Sequence, residues 1–186
     1  MARLTTLDAI EAALWQELGA AAQDRTHPWR TMTLATTDAQ GAPQARIVVL
    51  REVDPDPREL RFFTDERSPK AGQIRHRPEG VLVMWSRALG WQLRVRTALD
   101  LQVHGLAVSS RWTRLKLSPA AQDYLSPLPP GTEIDAPAPG LAAREDDRGH
   151  FALVTAHVQA IDWLELHPDG QRRALFDADG ARWLQP

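Results

Sequence analysis

The sequence predicts a mainly β fold of the α+β type, an antiparallel barrel with helices at its periphery. About seven to nine short segments are rich in β-branched and apolar residues and are bounded by Gly, Pro and Asp turns, as strands usually are. Roughly three or four segments have helical spacing, and they do not alternate with the strands as βαβ units do. This order of elements favours a closed antiparallel sheet over a parallel one.

The chain opens with a predicted helix. Apolar residues recur at helical spacing over residues 7–21, and Thr5 or Thr6 can cap the first turn. The helix should end before Pro28, because the residue preceding a proline avoids helical angles. Two later helices are expected to begin at Ser-Pro pairs, a usual combination of N-cap and first helical position. They cover residues 68–76 and 118–124, and a further helical region covers 109–117.

Strands are predicted from alternation and from β-branched content. The segment 81–86 is apolar almost throughout and should lie inside the sheet, whereas 92–103 alternates apolar residues with Arg94 and Arg96 and should have one wet face. Asp38 to Gly41 reads as the turn of a hairpin. The predicted strands are 31–37, 44–51, 60–64, 81–86, 92–103, 151–158, 159–166, 172–176 and 182–185.

Composition limits the possible functions. The 186 residues suit one domain, expected to span residues 1–186. The net charge is −2, which gives no overall attraction to nucleic acid or membrane. The chain has no cysteine, so disulfides, thiolate catalysis and cysteine-bound metals are excluded, and a cytoplasmic location is expected. The first residues lack the apolar core of a signal peptide. Seven tryptophans could serve a core, a dimer interface or a ring-shaped ligand.

Residues 126–148 are rich in proline and acids and are expected to form a loop or arm. Within and beside it, Asp146, Asp147 and His150 could be an acid/base group, but a solvated acidic loop explains them better. The histidines form no HExxH motif, and no GxGxxG, Walker or GxSxG pattern occurs. No metal site and no common nucleotide-binding loop is therefore predicted.

A cationic pattern with anion-binding character lies between residues 46 and 70. An apolar strand is closed by Arg46 and Arg51, a second strand ends in Thr64, and a helix begins at Ser68 with Lys70 in its first turn. Guanidinium, hydroxyl, ammonium and free helix N–H groups all suit a phosphate. On the pattern alone, arginines that merely solubilise strand ends remain equally plausible.

The order of motifs resembles the pyridoxamine 5′-phosphate oxidase family, which are FMN-binding split β-barrels of antiparallel Greek-key type. The resemblance rests on Ala35 to Arg51, Phe63-Thr64, Ser68-Pro69-Lys70 and Trp91 to Val95. It covers residues 27–105 well and resumes weakly at residues 161–163 and 173–176. It implies a homodimer with FMN at the subunit interface and flavin-dependent oxidoreductase chemistry.

The resemblance also implies roles for individual residues. Arg46 and Lys70 would hold the FMN phosphate, and Arg173 would reach the flavin from the partner subunit. Tyr124 and Thr132 would face the substrate. The implied cofactor-binding residues are Arg46, Ile47, Val48, Val49, Leu50, Arg51, Phe63, Thr64, Ser68, Lys70, Gln92 and Arg173.

Several positions depart from the family pattern. Pro69 replaces an arginine at the phosphate, Leu128 replaces the arginine that would bind a substrate phosphate, and Gly170 begins a segment that lacks the late substrate motif. Leu164 stands where a flavin-side tryptophan is usual, and Trp163 should point to the opposite face of the strand. We therefore expect an FMN protein of unassigned substrate. The alternatives are a genuine pyridoxamine or pyridoxine phosphate oxidase, a non-catalytic flavin- or haem-binding module, and a protein without a cofactor.

Overall fold

The computed structural model describes residues 3–136 and 149–186. Its eight strands form one antiparallel sheet in the order β3-β2-β1-β4-β5-β6-β7-β8, and an additional pairing of β3 with β6 closes the first six strands into a barrel. The predicted mainly β split barrel is confirmed. The strands are β1 Thr31–Thr37, β2 Pro43–Asp54, β3 Glu59–Asp65, β4 Glu79–Ser86, β5 Trp91–Gln102, β6 Phe151–Glu165, β7 Arg172–Asp177 and β8 Gly180–Leu184.

Three α-helices and two short 3-10 turns lie around the barrel in the described part of the chain. Thr6 caps the first helix by accepting a hydrogen bond from the Ala9 N–H at 3.3 Å. None of the helices in the described ranges is long and apolar enough to cross a bilayer. The helices are α1 Leu7–Gln23, α2 Pro69–His76 and α3 Leu106–Leu115, and the 3-10 turns are Pro28–Arg30 and Pro119–Tyr124.

The barrel core is built from the inward faces of the strands and closed by α1. Tryptophans occupy its centre: Trp29 stacks on Trp91 at 6.4 Å between ring centroids, and Trp91 meets Trp163 edge-on at 5.5 Å. All three are buried. Trp163 therefore points into the core, as its one-residue offset predicted, and it is not available to a ligand on the outer face.

A second apolar cluster joins α3 and the second 3-10 turn to the beginning of β6. Trp112 and Tyr124 pack around Phe151, with ring centroids 5.6 and 5.3 Å away. This packing fixes the position of Tyr124 relative to β3, because Phe63 contacts the same phenylalanine at 4.9 Å.

Several predicted bounds differ from the structure by one or two residues, and three differences are larger. Residues 151–158 and 159–166 were predicted as two strands, but β6 is continuous, and the irregularity lies at Gln159, where the register against Arg96 and Thr97 shifts by one residue. Strand β2 continues to Asp54 because it pairs with β3 there. Helix α3 begins three residues earlier than predicted, at Leu106.

Candidate functional site

Arg46 lies at one end of the barrel, where its side chain lies on the same face of β2 as Val48 and Leu50. Its guanidinium donates to Thr36 Oγ1 at 2.5 Å, to Gln73 Oε1 at 2.7 Å and to the Leu34 carbonyl at 3.3 Å. All these acceptors are neutral. Burial lowers the pKa of Arg46. Arg46 is therefore a half-buried cation held in position by hydrogen bonds, and not an arginine that merely solubilises a strand end.

Lys70 lies in the first turn of α2, three residues before Gln73, which accepts a hydrogen bond from Arg46. Burial lowers its pKa, the charge of Arg46 lowers it further, and Asp65 partly opposes both. Among the described residues, the ammonium has no hydrogen-bond or ion-pair partner. Two neighbouring cations without a carboxylate partner form a local excess of positive charge, which is the electrostatic requirement for binding an anion.

Ser68 and Thr64 bring two hydroxyl groups to the same end of the barrel. Ser68 has the extended backbone of an N-cap, but its side chain makes no capping hydrogen bond. The predicted N-cap at Ser68 and first helical position at Pro69 are therefore confirmed, although the serine hydroxyl does not cap the helix. The Ser68 hydroxyl instead lies 3.1 Å from that of Thr64, and both side chains are buried.

The outer edge of β2 is open beside Arg46. Residues 43–49 pair with β1, whereas the described pairing with β3 begins only at Leu50. In a strand paired on one side, alternate residues direct their backbone N–H and C=O groups away from that partner. The backbone between Arg46 and Leu50 can therefore offer donors and acceptors to a ligand.

Arg51 lies farther along β2, on the opposite face from Arg46. Its guanidinium carbon is 5.6 Å from the centroid of the Phe63 ring, a cation–π arrangement. Burial raises the pKa of Tyr124, and the charge and hydrogen-bonding influence of Arg51 opposes that rise, which places the two groups together. The structure thus brings Arg51, Phe63 and Tyr124 into one group.

Gln92 and Arg173 belong to a different part of the surface. Both pair with Leu164 of β6, from opposite sides, so the three share the outer face of β5, β6 and β7. Arg173 donates from Nε and Nη2 to Asp162 at 2.9 and 2.7 Å, and this hydrogen bonding raises the pKa of Arg173. Local sequence does not indicate this pair, because it forms across two strands.

The two groups lie on different strands within one chain. Arg46 of β2 and Leu82 of β4 pair with the same β1 residue, Leu34, and Gln92 pairs with Trp85, three residues beyond Leu82. Gln92 is therefore three strands and three residues from Arg46, which at about 4.8 Å per strand and 3.3 Å per residue is roughly 17 Å. The structure therefore does not bring Gln92 into contact with Arg46, and the hydrogen bonds of Arg173 go to Asp162.

Of the two predicted substrate residues, Tyr124 is buried beside Arg51, whereas Thr132 is exposed. The Thr132 hydroxyl donates to the Pro129 carbonyl at 2.7 Å within a local turn. Residues 137–148 of the predicted arm, including Asp146 and Asp147, lie outside the described residues.

Arg67 is a residue that sequence reasoning missed. It is held by Asp65 through a 2.7 Å ion pair and donates to the carbonyls of Ser126 and Pro127 at 2.8 and 3.2 Å. It thereby fastens the segment after Tyr124 over the start of α2. The local signal was an acidic residue two positions before an arginine at a strand end, typical of an Asx turn.

Comparison with known proteins places the chain in a family. The model of the pyridoxamine 5′-phosphate oxidase FMN-binding domain matches residues 12–102. The pyridoxine/pyridoxamine 5′-phosphate oxidase of Bordetella avium is 32% identical over 184 residues, which cover 89% of this chain and 85% of that protein. The chain belongs to the pyridoxamine 5′-phosphate oxidase family.

Other matches are shorter or more distant. In three other pyridoxine/pyridoxamine 5′-phosphate oxidases, the segments that align with this chain span 30 to 37% of the length of each protein. A pyridoxamine 5′-phosphate oxidase-related, FMN-binding protein from Nostoc punctiforme has a TM-score of 0.74 and 25% identity, covering 94% of this chain and 96% of that one. A haem-binding protein from Mycobacterium smegmatis has a TM-score of 0.50 and 15% identity over 84% of this chain and 57% of its own, a likeness of fold alone.

Proposed function

We propose that the protein binds FMN in sites shared between the two subunits of a homodimer and acts as a flavin-dependent oxidoreductase, with the cytoplasm as its expected compartment. The observation that supports this most strongly is the pair Arg46 and Lys70. They lie near each other, carry two positive charges and, among the described residues, form no hydrogen bond or ion pair with an acid. The family domain is described as FMN-binding.

The residues at this end of the barrel fit a phosphate dianion. Arg46 and Lys70 match its two charges, and one hydroxyl of the hydrogen-bonded pair Ser68 and Thr64 can donate to its oxygens. Each charge-assisted hydrogen bond is worth about 1.5–3 kcal/mol. The loss of the family arginine at Pro69 leaves two cations, which is still enough to neutralise the dianion.

The ring of the cofactor would lie along β2. The open backbone edge from Arg46 to Leu50 can hydrogen-bond a flat heterocycle, and Phe63 and Arg51 lie at the far end of that edge. When bound, FMN would supply hydride and electron transfer. The chain's part would be to anchor the phosphate, orient the ring and exclude water from one of its faces.

A homodimer would complete the site. Gln92 lies three strands and three residues from Arg46 of the same chain, and Arg173 lies two strands beyond Gln92. Between the two groups, the outer face of β2, β1 and β4 is apolar and open, with Ile47 63% exposed and Trp85 45% exposed. A second copy packed on this face by a two-fold axis would cover it and bring its own Gln92 and Arg173 to the cofactor.

The alternatives rest on less. A genuine pyridoxamine or pyridoxine phosphate oxidase needs a cation for the substrate phosphate, and the uncharged Leu128 is 48% exposed beside the site. A haem module needs an iron ligand. No group of three His, Asp or Glu residues that could hold a metal occurs in ranges 3–136 and 149–186. One histidine is enough for haem, however, so spectroscopy must decide.

The direct test is the visible spectrum of the purified protein, with mass identification of any released cofactor and reconstitution of the apoprotein with FMN. We expect a flavin spectrum and one FMN per chain. A colourless protein that added FMN does not convert would sink the proposal, and a haem spectrum would establish the alternative. Reduction of bound flavin by NADH or NADPH would then distinguish an oxidoreductase from a carrier. Oxygen uptake with pyridoxamine phosphate would establish the vitamin B6 activity.

A further inference from the structure

We propose that Arg94 is a further cation of the cofactor site, and that Arg94, Asp162 and Arg173 together raise the reduction potential of bound FMN. The inference rests on the proposed FMN site, in which Gln92 and Arg173 meet the cofactor of the partner subunit. It assigns two residues, Arg94 and Asp162, to which the family resemblance gives no role.

Arg94 and Asp162 lie on the same outer face of the sheet as Gln92 and Arg173. Strand pairing arranges the outer residues of β5, β6 and β7 in two adjacent rows. The first row contains Gln92, Leu164 and Arg173, and the second contains Arg94, Asp162 and Leu175. Rows on one face are two residues apart, which is roughly 7 Å along a strand. Arg94 and Asp162 are therefore one row from the residues proposed to meet the cofactor.

Asp162 is the shared acidic partner of two arginines. Arg173 donates to it from Nε and Nη2 at 2.9 and 2.7 Å, and Arg94 Nη1 lies 3.6 Å from Asp162 Oδ2. The Asp162 side chain is 14% exposed, whereas that of Arg94 is 54% exposed. Among the described residues, neither arginine forms an ion pair with a second acid. The group therefore keeps one positive charge in excess, and Arg94 presents it on the outer face.

The neighbouring charges do not cancel this excess. The next set on the same face is also one acid with two cations. Hydrogen bonds from Arg182 lower the pKa of Asp177, and the charge of Arg96 lowers it further. Glu165, the other acid at this end of β6, lies on the opposite face of the strand and is paired with two arginines of its own. The outer face of β5 to β8 thus carries a net positive charge.

A positive charge beside a flavin favours the reduced form of the cofactor. Reduction adds two electrons and one proton to the neutral ring at alkaline pH, so the reduced ring carries one negative charge. Arg94 and Arg173 would attract that charge, and Asp162 would offset part of the attraction. The three side chains would therefore hold reduced FMN more tightly relative to oxidised FMN, which raises the reduction potential.

The test is the midpoint potential of bound FMN, measured at mildly alkaline pH by stepwise reduction with dithionite against a reference dye. Arg94→Gln should weaken reduced FMN relative to oxidised FMN by roughly tenfold, which lowers the potential of this two-electron couple by about 30 mV. Asp162→Asn removes the negative charge with little change of shape and should raise the potential. Opposite shifts from two neighbouring substitutions distinguish a charge effect from a general loosening of the site. A potential that does not fall in Arg94→Gln, or does not rise in Asp162→Asn, would overturn the inference.

Control variants separate Arg94 from the rest of the charged face. Arg94→Lys keeps the charge and should keep the potential close to that of the wild type. Arg96→Gln removes the same charge from the same strand one row farther from Gln92, and should lower the potential by less than Arg94→Gln does. Arg114→Gln, at an exposed position on α3, should leave the potential unchanged.

Two outcomes of the controls have different consequences. A fall in Arg96→Gln as large as that in Arg94→Gln would show that the face acts only through its total charge, and Arg94 would lose its specific role. Wild-type protein that retains no FMN would instead disprove the proposed function.

Discussion

Two clusters of basic residues in this molecule differ in one property, the presence of acidic partners. At the barrel end, Arg46 and Lys70 have only neutral or distant partners. On the outer face of β3, Arg61 forms ion pairs with Glu52 and Glu59, although it lines a cavity of about 240 Å³. The second cluster lines a cavity and has as many cations, yet its charges neutralise one another. The difference shows that a cavity lined by cations need not offer free positive charge to an anion.

The largest expected effect comes from removing the uncompensated charges. Arg46→Ala combined with Lys70→Ala should weaken FMN binding by about two to four decades, since each charge-assisted contact is worth about 1.5–3 kcal/mol. Titration of the apoprotein with FMN, followed by fluorescence, measures the affinity. The combination Arg114→Ala with Lys116→Ala removes the same charge from exposed positions on and after α3 and should bind FMN like the wild type. Equal FMN affinities in the two double variants would show that Arg46 and Lys70 do not bind the cofactor phosphate.

A smaller effect should follow from alkaline pH. Burial and Arg46 lower the pKa of Lys70, so this lysine loses its proton at a lower pH than an ordinary lysine. Phosphate binding needs the protonated form. FMN affinity should therefore be full below the pKa of Lys70 and should fall as the pH rises through it. In Lys70→Arg the fall should disappear, because an arginine stays charged. A pH profile shared by the wild type and this variant would show that Lys70 does not contact the phosphate.

The smallest effect is expected in the compensated cluster. Arg111 forms a bidentate ion pair with Glu52 through Nε at 2.9 Å and Nη2 at 2.5 Å, and both side chains are partly exposed. Because such pairs are screened by solvent, Arg111→Ala should cost at most about 1 kcal/mol of unfolding free energy. FMN affinity should not change. Denaturant unfolding and the same FMN titration measure the two quantities, and weaker FMN binding in Arg111→Ala would mean that this cluster belongs to the cofactor site.

Local signals predicted much of the fold. The bounds of β1 agree with the β-branched segment 31–37, and α2 begins and ends where Ser68-Pro69 and His76 indicated. Both elements depend on residues within a few positions of each other. The continuity of β6 could not be predicted in this way, because it depends on pairing with distant strands. Strand β5 pairs with β6 on both sides of the irregularity at Gln159, and the other neighbour of β6 changes there from β3 to β7.

The residues of the candidate site could be predicted from the sequence, but the side chains that hydrogen-bond to them could not. The resemblance named Arg46 and Lys70, but the neutral acceptors of Arg46 come from β1 and α2, which only tertiary structure brings to it. Two further contacts likewise join separate elements: the hydrogen bond from Arg67 to the Ser126 carbonyl and the ion pair of Arg173 with Asp162. Sequence proximity cannot reveal such contacts. The separation of Gln92 from Arg46 also needed the strand register.

The central claim, an FMN site shared between two chains, can be tested by complementation. One chain carries Arg46→Ala with Lys70→Ala, and the other carries Gln92→Ala with Arg173→Ala. The two are co-expressed with different tags, and the mixed dimer is isolated by two affinity steps. At an FMN concentration where neither variant homodimer binds, the mixed dimer contains one site built only from intact halves, so we expect one FMN for every two chains. A mixed dimer as empty as both parents would contradict a shared site.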